Sequence, residues 1–239
     1  MVLIHKSETG WIPKLGLYLF PLLTIIFAAL YLLDESFYRN IIKEDSIIEW
    51  LTFAFLIGAG IVSLIVASGI RKRHHYFHWF FILFFGFNLL AGFEEISWGQ
   101  RVFEVETTGI FHEYSDQNEM NLHNTFQGFF GIKTKHIALL ILLLYGSILP
   151  GLMRNKNPQY GKFPLRQFVI PPMFLRGGFT IGAILMLDFQ TGHEEEIGEF
   201  FFSICFFIMM LWNLTLYKRG YFRPDNYFII SKRTPSLSE

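Results

Sequence analysis

Long apolar runs separated by short polar segments are the dominant pattern along this chain. A helix needs roughly twenty mainly apolar residues to cross a bilayer. Six runs come close to that length: residues 15–33, 47–70, 76–98, 136–153, 168–189 and 195–217. We therefore predict an all-α, polytopic membrane protein in which six transmembrane helices form a single integral membrane domain over residues 1–239.

The longest connection, residues 99–135, carries a helix signal of its own. Asp116 followed by Glu119 fits a capping box, in which the first side chain caps the helix and the second reaches back to it. Residues 120–132 then combine Leu and Phe with polar side chains. We expect an amphipathic helix in this outer loop, either lying in the membrane interface or re-entering the bundle.

Positive charge in the connections indicates their side of the membrane, because Lys and Arg are enriched in short cytoplasmic loops. With six spans, four basic segments share one side. Their residues are Lys6 and Lys14; Arg71, Lys72 and Arg73; Arg154, Lys156, Lys162 and Arg166; and Lys218, Arg219, Arg223, Lys232 and Arg233. We predict that both termini are cytoplasmic and that the acidic loops lie on the opposite, outer side.

Composition agrees with a membrane protein. The 239 residues are 52% hydrophobic and only 17% charged, whereas soluble domains are about 25% charged. The net charge of zero gives no reason to expect nucleic acid as a partner. Cys205 is the only cysteine, so neither an intrachain disulfide nor a thiolate metal cluster can form.

Carboxylates cluster at the predicted outer ends of three spans. Glu49 lies near the start of the second span, Glu95 near the end of the third, and Glu199 about one turn into the sixth. A carboxylate in or near hydrocarbon has to be protonated, paired or bound to a cation. Several carboxylates at one depth cannot all stay ionised without such compensation. In the long connection, His123 adds an imidazole.

We predict Glu95, His123 and Glu199 as catalytic residues that bind a metal or handle protons. Glu49 is a further metal ligand or base, and Arg101 is a contact for an anion or phosphate. Further candidate site residues are Glu94, Ser97, Trp98, Gln100, Asn121, Asn124, His193, Glu196 and Arg176. The alternative is that the acids are ordinary partners of helix dipoles and that the tryptophan is an interfacial anchor.

The ligand types restrict the metal. Carboxylate, imidazole and amide groups without a nearby thiolate favour Zn, Mn, Fe, Ca or Mg. Such a cation could activate water, with a spare glutamate as the base. Arg176 follows Pro171-Pro172 within the fifth span. Either the Pro-Pro segment is unwound and Arg176 reaches the cytoplasmic interface, or Arg176 pairs with a buried carboxylate or a lipid phosphate.

Two stretches, EEISWGQR at residues 94–101 and NLHN at residues 121–124, carry a family resemblance. Together with Glu44-Asp45 and Glu49-Trp50, they resemble a group of functionally uncharacterised bacterial multi-pass membrane proteins. That resemblance covers most of the chain and implies no activity. We expect a multi-pass protein of a bacterial inner membrane.

A more distant similarity is to the alkaline ceramidase superfamily of membrane hydrolases. Those enzymes place acidic residues before an early span, and a serine and a histidine around zinc at membrane depth. Their loose counterparts here are Glu44, Asp45, Glu49, Ser97 and His123. That superfamily also has seven spans and a His-x-x-x-His pair in its last helices, and the last predicted spans of this sequence lack such a pair.

Three functional hypotheses follow. The first is a membrane-embedded enzyme, a metal-dependent hydrolase or transferase whose outward-facing site acts on a lipid or lipid-linked substrate. The second is a transporter or channel component in which the same carboxylates carry protons or cations. The third is a structural or assembly subunit whose polar outer face meets another membrane protein.

Overall fold

A computed structural model describes residues 10–43, 46–100, 134–153, 167–187 and 191–222. Within these ranges the regular structure is entirely helical. Among the described residues, four helical segments are long and apolar enough to cross a membrane: Trp11–Leu33, Ile47–His74, His136–Met153 and Glu194–Lys218. The prediction of an all-helical membrane protein is thus confirmed, whereas the amphipathic helix expected over residues 120–132 lies outside the described residues.

Helix α1 covers Trp11–Leu33 and exposes most of its apolar surface, as expected for contact with lipid. Only 11% of its most apolar stretch is buried. The chain then turns at Asp34, whose carboxylate accepts a hydrogen bond of 2.9 Å from the backbone N–H of Phe37. This contact caps the short helix α2, Glu35–Ile42.

Helices α3, Ile47–His74, and α4, Trp79–Glu95, form a packed pair. The hydroxyl of Ser63 donates a hydrogen bond of 2.7 Å across the pair to the carbonyl of Phe81. Helix α4 has 17 residues and is therefore shorter than the predicted span 76–98. It ends early because the backbone leaves the helical region immediately beyond Glu95, with positive φ at Ser97 and Trp98.

The fourth predicted span is helical but irregular. Helix α5, Thr134–Leu143, passes through a wide π-helical turn, Leu144–Ile148, into helix α6, Leu149–Met153. Pro150 has no N–H to bond to the preceding turn, which favours such a local irregularity. Within the wide turn, Gly146 lies against the ring of Phe179, and a Cβ at this position would overlap that ring.

The fifth predicted span, 168–189, is not one continuous helix. The chain between Gln167 and a short 3₁₀ turn, Met173–Leu175, is non-helical, and helix α7 covers only Arg176–Leu185. The adjacent prolines at 171 and 172 explain the interruption, because neither can donate a helical hydrogen bond. The unwound Pro-Pro segment agrees with the first of the two alternatives considered for Arg176, whereas the prediction of a continuous span over residues 168–189 was wrong.

Hydrogen bonds join this unwound segment to neighbouring elements. The Tyr145 hydroxyl donates to the carbonyl of Val169 (2.9 Å). The Gln167 side chain accepts from the N–H of Trp79 (2.9 Å) and donates to the carbonyl of Phe77 (3.1 Å). Non-helical backbone at membrane depth is tolerated where protein groups supply its hydrogen bonds in this way.

Helix α8, Glu194–Lys218, is the central element of the described bundle. Of its most apolar stretch, 72% is buried, and it packs against α3, α7 and α1. Its aromatic side chains interlock with those neighbours; Phe201, for example, lies 5.6 Å from Phe20 of α1 between ring centroids. The position of α8 matters for function, because its first turns carry four glutamates.

The ends of the described helices gather into two groups. At one end, the start of α8 lies near the end of α4 and the start of α3. Glu199 of α8 and Glu49 of α3 are close enough to Glu95 of α4 for their negative charges to act on it. At the other end, the hydroxyl of Tyr76, between α3 and α4, donates to the carbonyl of Phe222 beyond α8 (2.9 Å). Consecutive helices α3 and α4 therefore run in opposite directions.

Candidate functional site

The core of the candidate site consists of Glu95 from α4 and Glu196 and Glu199 from α8. One carboxylate oxygen from each residue lies within 4.8 Å of the others. Glu196 and Glu199 are three apart on one helix, which places both on the same face. All three side chains are half-buried. Sequence reasoning had placed Glu95 and Glu199 in one site, and the structure brings these two together.

The backbone after α4 helps to position Glu95. Ser97, Trp98 and Gly99 have φ values of 45°, 55° and 76°, so three residues in succession occupy the left-handed region that residues other than glycine rarely adopt. The N–H of Gly99 donates to the carbonyl of Ile96 at 2.8 Å. This sharp turn ends the helix at Glu95 and holds its carboxylate at the end of the bundle.

Glu94 and Glu95 are consecutive but have different surroundings. The indole N–H of Trp98 donates to Glu94 at 2.6 Å, and the Trp98 ring stacks on Phe93 with centroids 5.7 Å apart. Glu94 is therefore engaged by Trp98 on the helix surface, while Glu95 points towards α8. Glu94 therefore contacts Trp98, and Glu95 is the one of the two that belongs to the carboxylate cluster.

Glu49, in the first turn of α3, lies near the three carboxylates. It is half-buried, and its charge acts on Glu95 together with the charges of Glu199, Glu196 and Glu94. Of the four predicted ligands, Glu49, Glu95 and Glu199 therefore come from three helices that meet at one level, and the fourth, His123, lies outside the described residues. The carboxylate oxygens that lie close enough together to share one cation belong to Glu95, Glu196 and Glu199.

The negative charges of this cluster repel one another and have to be neutralised. Two unit charges about 4 Å apart repel by about 4 kcal/mol at the effective dielectric near a protein surface. Three such repulsions together approach the whole stability of a typical folded protein, roughly 5–15 kcal/mol. The carboxylates therefore share protons, or a cation neutralises them. Oxygen ligands from carboxylates suit Mg, Mn and Ca in particular.

The structure also describes several of the other predicted residues. Arg176 is the first residue of α7 and is exposed, and its guanidinium lies against Gly151 of α6. It is at the start of the helix rather than in the middle of a continuous span, because the Pro-Pro segment is unwound. His193 precedes α8, and its backbone N–H donates to the Thr191 hydroxyl at 3.4 Å. Ser97 is buried, and Gln100 is half-buried.

Part of the predicted site lies outside the described residues. His123 and Arg101, for which catalytic roles are predicted, and Asn121 and Asn124 belong to this group. Their roles therefore stay predictions.

Sequence reasoning underestimated two glutamates of α8. Glu196 was included only as an additional candidate, although its spacing of three from Glu199 was a usable signal for a shared face. Glu194 was not singled out, yet it is buried and lines a cavity with Tyr38 and Tyr31. No local sequence pattern predicts that Glu194, Tyr31 and Tyr38 lie together, because their proximity arises from the packing of α1, α2, α7 and α8.

Comparison of the chain with protein-family profiles, curated proteins and solved structures found no match. The two resemblances noted in the sequence therefore stay predictions. The chain is an integral membrane protein by its apolar helices, and its function has to be argued from the carboxylate cluster.

Proposed function

We propose that this protein is a divalent-cation-dependent membrane enzyme, a hydrolase or transferase that acts on a lipid or lipid-linked substrate. The observation that carries the proposal is the approach of three carboxylate oxygens, from Glu95, Glu196 and Glu199, to within 4.8 Å of one another. Half-buried carboxylates crowded together beside an apolar bundle are costly unless protons or a cation neutralise them.

In the proposed reaction, Glu95, Glu196 and Glu199 hold the cation, and Glu49 or His123 takes up a proton. A divalent cation held by these carboxylates would supply Lewis-acid chemistry, which makes water more acidic and polarises an ester or phosphoester. The water oxygen then bonds to the carbonyl carbon or phosphorus as the bond to the leaving oxygen breaks. The proton removed from water returns to that leaving oxygen, so the reaction is balanced without a further reactant.

The proposal includes the topology. We propose that all six apolar runs cross the membrane and that both termini are cytoplasmic, with the carboxylate cluster on the outer side of a bacterial inner membrane. The alternation of α3, α4 and α8 supports this arrangement, as does the basic segment 71–73 at the end opposite Glu49 in α3. Arg101 then lies on the outer side, where it can contact a phosphate of the substrate.

Transport is the alternative function. The polar side chains described in the half of the bundle away from the carboxylate cluster argue against it. The side-chain amides of Asn88 and Asn213 each donate to a carbonyl one turn earlier in their own helix, at 2.7 Å and 2.8 Å. The Thr215 hydroxyl does the same at 3.0 Å. Each of these hydrogen bonds stays within one helix, so these donors do not connect one helix to the next as an ion relay would require.

The proposed function is tested by measuring the metal content of purified protein. We expect about one equivalent of a divalent metal in the wild type and strongly reduced content in Glu95→Gln, Glu199→Gln and His123→Ala. Glu35→Gln is the matched control, because Glu35 is exposed and paired with Arg39 at 2.6 Å. Its metal content should equal that of the wild type.

Catalysis is tested with the same proteins in vesicles. Turnover of vesicle lipids should require added divalent metal and should fall together with metal content across the variants. Absence of bound metal, or equal turnover in wild type and Glu199→Gln, would contradict the proposal. Cation flux across the vesicle membrane without turnover would favour transport instead.

A further inference from the structure

A second polar grouping lies on another face of α8 and is separate from the carboxylate cluster. Glu194, Ile197 and Phe201 form one stripe of this helix, whereas Glu196 and Glu199 form another. The first stripe lines a cavity of about 180 Å³ between α8, α1, α2 and the end of α7. That volume is several times the roughly 30 Å³ that one water molecule occupies, so the cavity can hold a small organic group.

Aromatic rings form much of the wall of this cavity. Tyr31 of α1 and Tyr38 of α2 meet edge to face, with centroids 5.3 Å apart and ring planes at 72°. Phe27 of α1 and Phe201 of α8 lie 6.3 Å apart on another part of the wall. The negative π faces of aromatic rings attract organic cations, so a cavity lined by several rings suits such a cation.

Glu194 adds a carboxylate to this aromatic wall. The side chain is 5% exposed and is fixed by three donors: the N–H of Thr191 (2.9 Å), the hydroxyl of Thr191 (2.7 Å) and the N–H of Gly192 (3.1 Å). Hydrogen bonds to a carboxylate are among the strong ones and fix its geometry. The negative group at the edge of the cavity is therefore preorganised.

The tyrosines contribute ring faces and no charge. Burial, with the negative charge of Glu194 as the second cause, raises the pKa of Tyr38 to about 12. Its phenol therefore stays neutral throughout the physiological range. A cation in the cavity then meets one carboxylate and several neutral rings.

We propose that this cavity binds a quaternary ammonium group of the choline type, with its methyl groups against Phe27, Tyr31, Tyr38 and Phe201 and its charge beside Glu194. The donors from Thr191 and Gly192 occupy most of the acceptor sites of the carboxylate. A quaternary ammonium needs no hydrogen-bond acceptor, so it suits this site better than a primary amine. The proposal does not depend on the enzymatic function proposed for the carboxylate cluster.

Titration calorimetry of the full-length protein, in a detergent without choline, tests the proposal. The probes are choline and its neutral carbon analogue, dimethylbutanol, which has the same shape without the charge. We expect choline to bind at least about tenfold more tightly than dimethylbutanol, as a desolvated cation–π site requires. Equal binding of the two probes would mean an apolar cavity only and would overturn the proposal, as would no binding of choline.

Variants separate the charge from the rings. Glu194→Gln should weaken choline binding about tenfold or more, whereas the neighbouring Glu195→Gln should bind like the wild type. Since Glu194→Gln also disturbs the bonds to Thr191 and Gly192, a second pair keeps the test decisive. Tyr38→Phe retains the ring and should retain binding, and Tyr38→Leu should lose it. Equal affinity in Tyr38→Phe and Tyr38→Leu would contradict the aromatic site.

The source of the ammonium group is identified in lipid nanodiscs. If the ligand is a lipid headgroup, free choline should bind in phosphatidylglycerol discs and fail to bind in phosphatidylcholine discs, where the lipid already fills the cavity. If the ligand is a free solute, choline should bind in both. Failure to bind in phosphatidylglycerol discs would overturn the proposal in either form.

Discussion

Adjacent glutamates in this protein have different surroundings, because each step along a helix turns the side chain by about 100°. Glu94 accepts from Trp98, while Glu95 joins the carboxylate cluster. On α8, Glu194 is held by Thr191 and Gly192, while Glu196 faces Glu95. The runs Glu94-Glu95 and Glu194-Glu195-Glu196 thus supply both structural and candidate functional groups.

At the residue scale, the account predicts that cation binding depends on pH. Protons and the cation compete for the oxygens of Glu95, Glu196 and Glu199. As pH falls, protons neutralise these carboxylates, and affinity should drop by up to about tenfold per pH unit for each proton displaced. Titration of Mn²⁺ into the purified protein between pH 8 and pH 5, followed by electron paramagnetic resonance, measures this dependence.

Glu35→Gln is the control for this titration and should show the same pH dependence as the wild type. Glu196→Gln should bind Mn²⁺ more weakly and release fewer protons on binding. Affinity that is unchanged across this pH range would contradict a site made of carboxylates.

The convergence of Glu95 and Glu199 could be predicted from the sequence, because each lies near the predicted outer end of its span. The choice of Glu196 over Glu195 as the third member could not be settled, since both are within one turn of Glu199. The answer depends on how α8 is rotated against α4. That rotation follows from the packing of many apolar side chains and leaves no local signal.

At the element scale, close contact between α7 and α8 positions the first turns of α8. Gly182 and Gly198 face each other, and a Cβ at Gly198 would lie 2.8 Å from the Gly182 carbonyl oxygen and 2.8 Å from Cγ of Met186. Small residues allow helix backbones to approach in this way inside membranes. The approach places Glu199, the next residue, at its observed level.

We therefore predict that Gly198→Ala destabilises the protein by about 1–3 kcal/mol, the usual cost of overpacking. The matched control is Gly86→Ala in α4, where an added Cβ meets nothing within 4 Å. There the loss of backbone freedom in the unfolded chain should leave stability equal or slightly higher. Thermal unfolding in detergent compares the two, and equal midpoints would contradict the described α7–α8 contact.

The fifth apolar run shows where element prediction from the sequence is limited. Its length and composition indicated a continuous span over residues 168–189, although the prolines at 171 and 172 offered a reason for interruption. The Tyr145 hydroxyl donates to the carbonyl of Val169 in the unwound segment, and the Gln167 side chain at the start of that segment bonds to the backbone of Phe77 and Trp79. These partners come from distant parts of the chain, so the sequence alone did not identify them.

At the scale of the whole molecule, alternating apolar runs and basic loops allowed the class of protein to be predicted. Composition and periodicity depend on local sequence, and both point to a membrane bundle. The number of crossings and the side that each end faces are not local properties. They remain part of the proposal and need a direct test.

Cysteine labelling provides that test, because Cys205, the only cysteine, is fully buried. Single cysteines are introduced at two exposed sites, Glu35→Cys in α2 and Arg73→Cys near the end of α3. In sealed vesicles with the cytoplasmic side inward, an impermeant maleimide should label the first variant and not the second. Inverted vesicles should give the opposite pattern.

The wild type is the control and should stay unlabelled in both preparations. Labelling of both variants from the same side would contradict the proposed topology. Reversed labelling would place the carboxylate cluster on the cytoplasmic side.

The central claim is that Glu95, Glu196 and Glu199 share one divalent cation. Crystals grown with Mn²⁺ and measured near the manganese absorption edge test this claim most directly. The account predicts one anomalous peak among the three carboxylates, and no such peak in Glu199→Gln crystals. Wild-type crystals without a peak at this position, or with the three carboxylates turned away from one another, would contradict it.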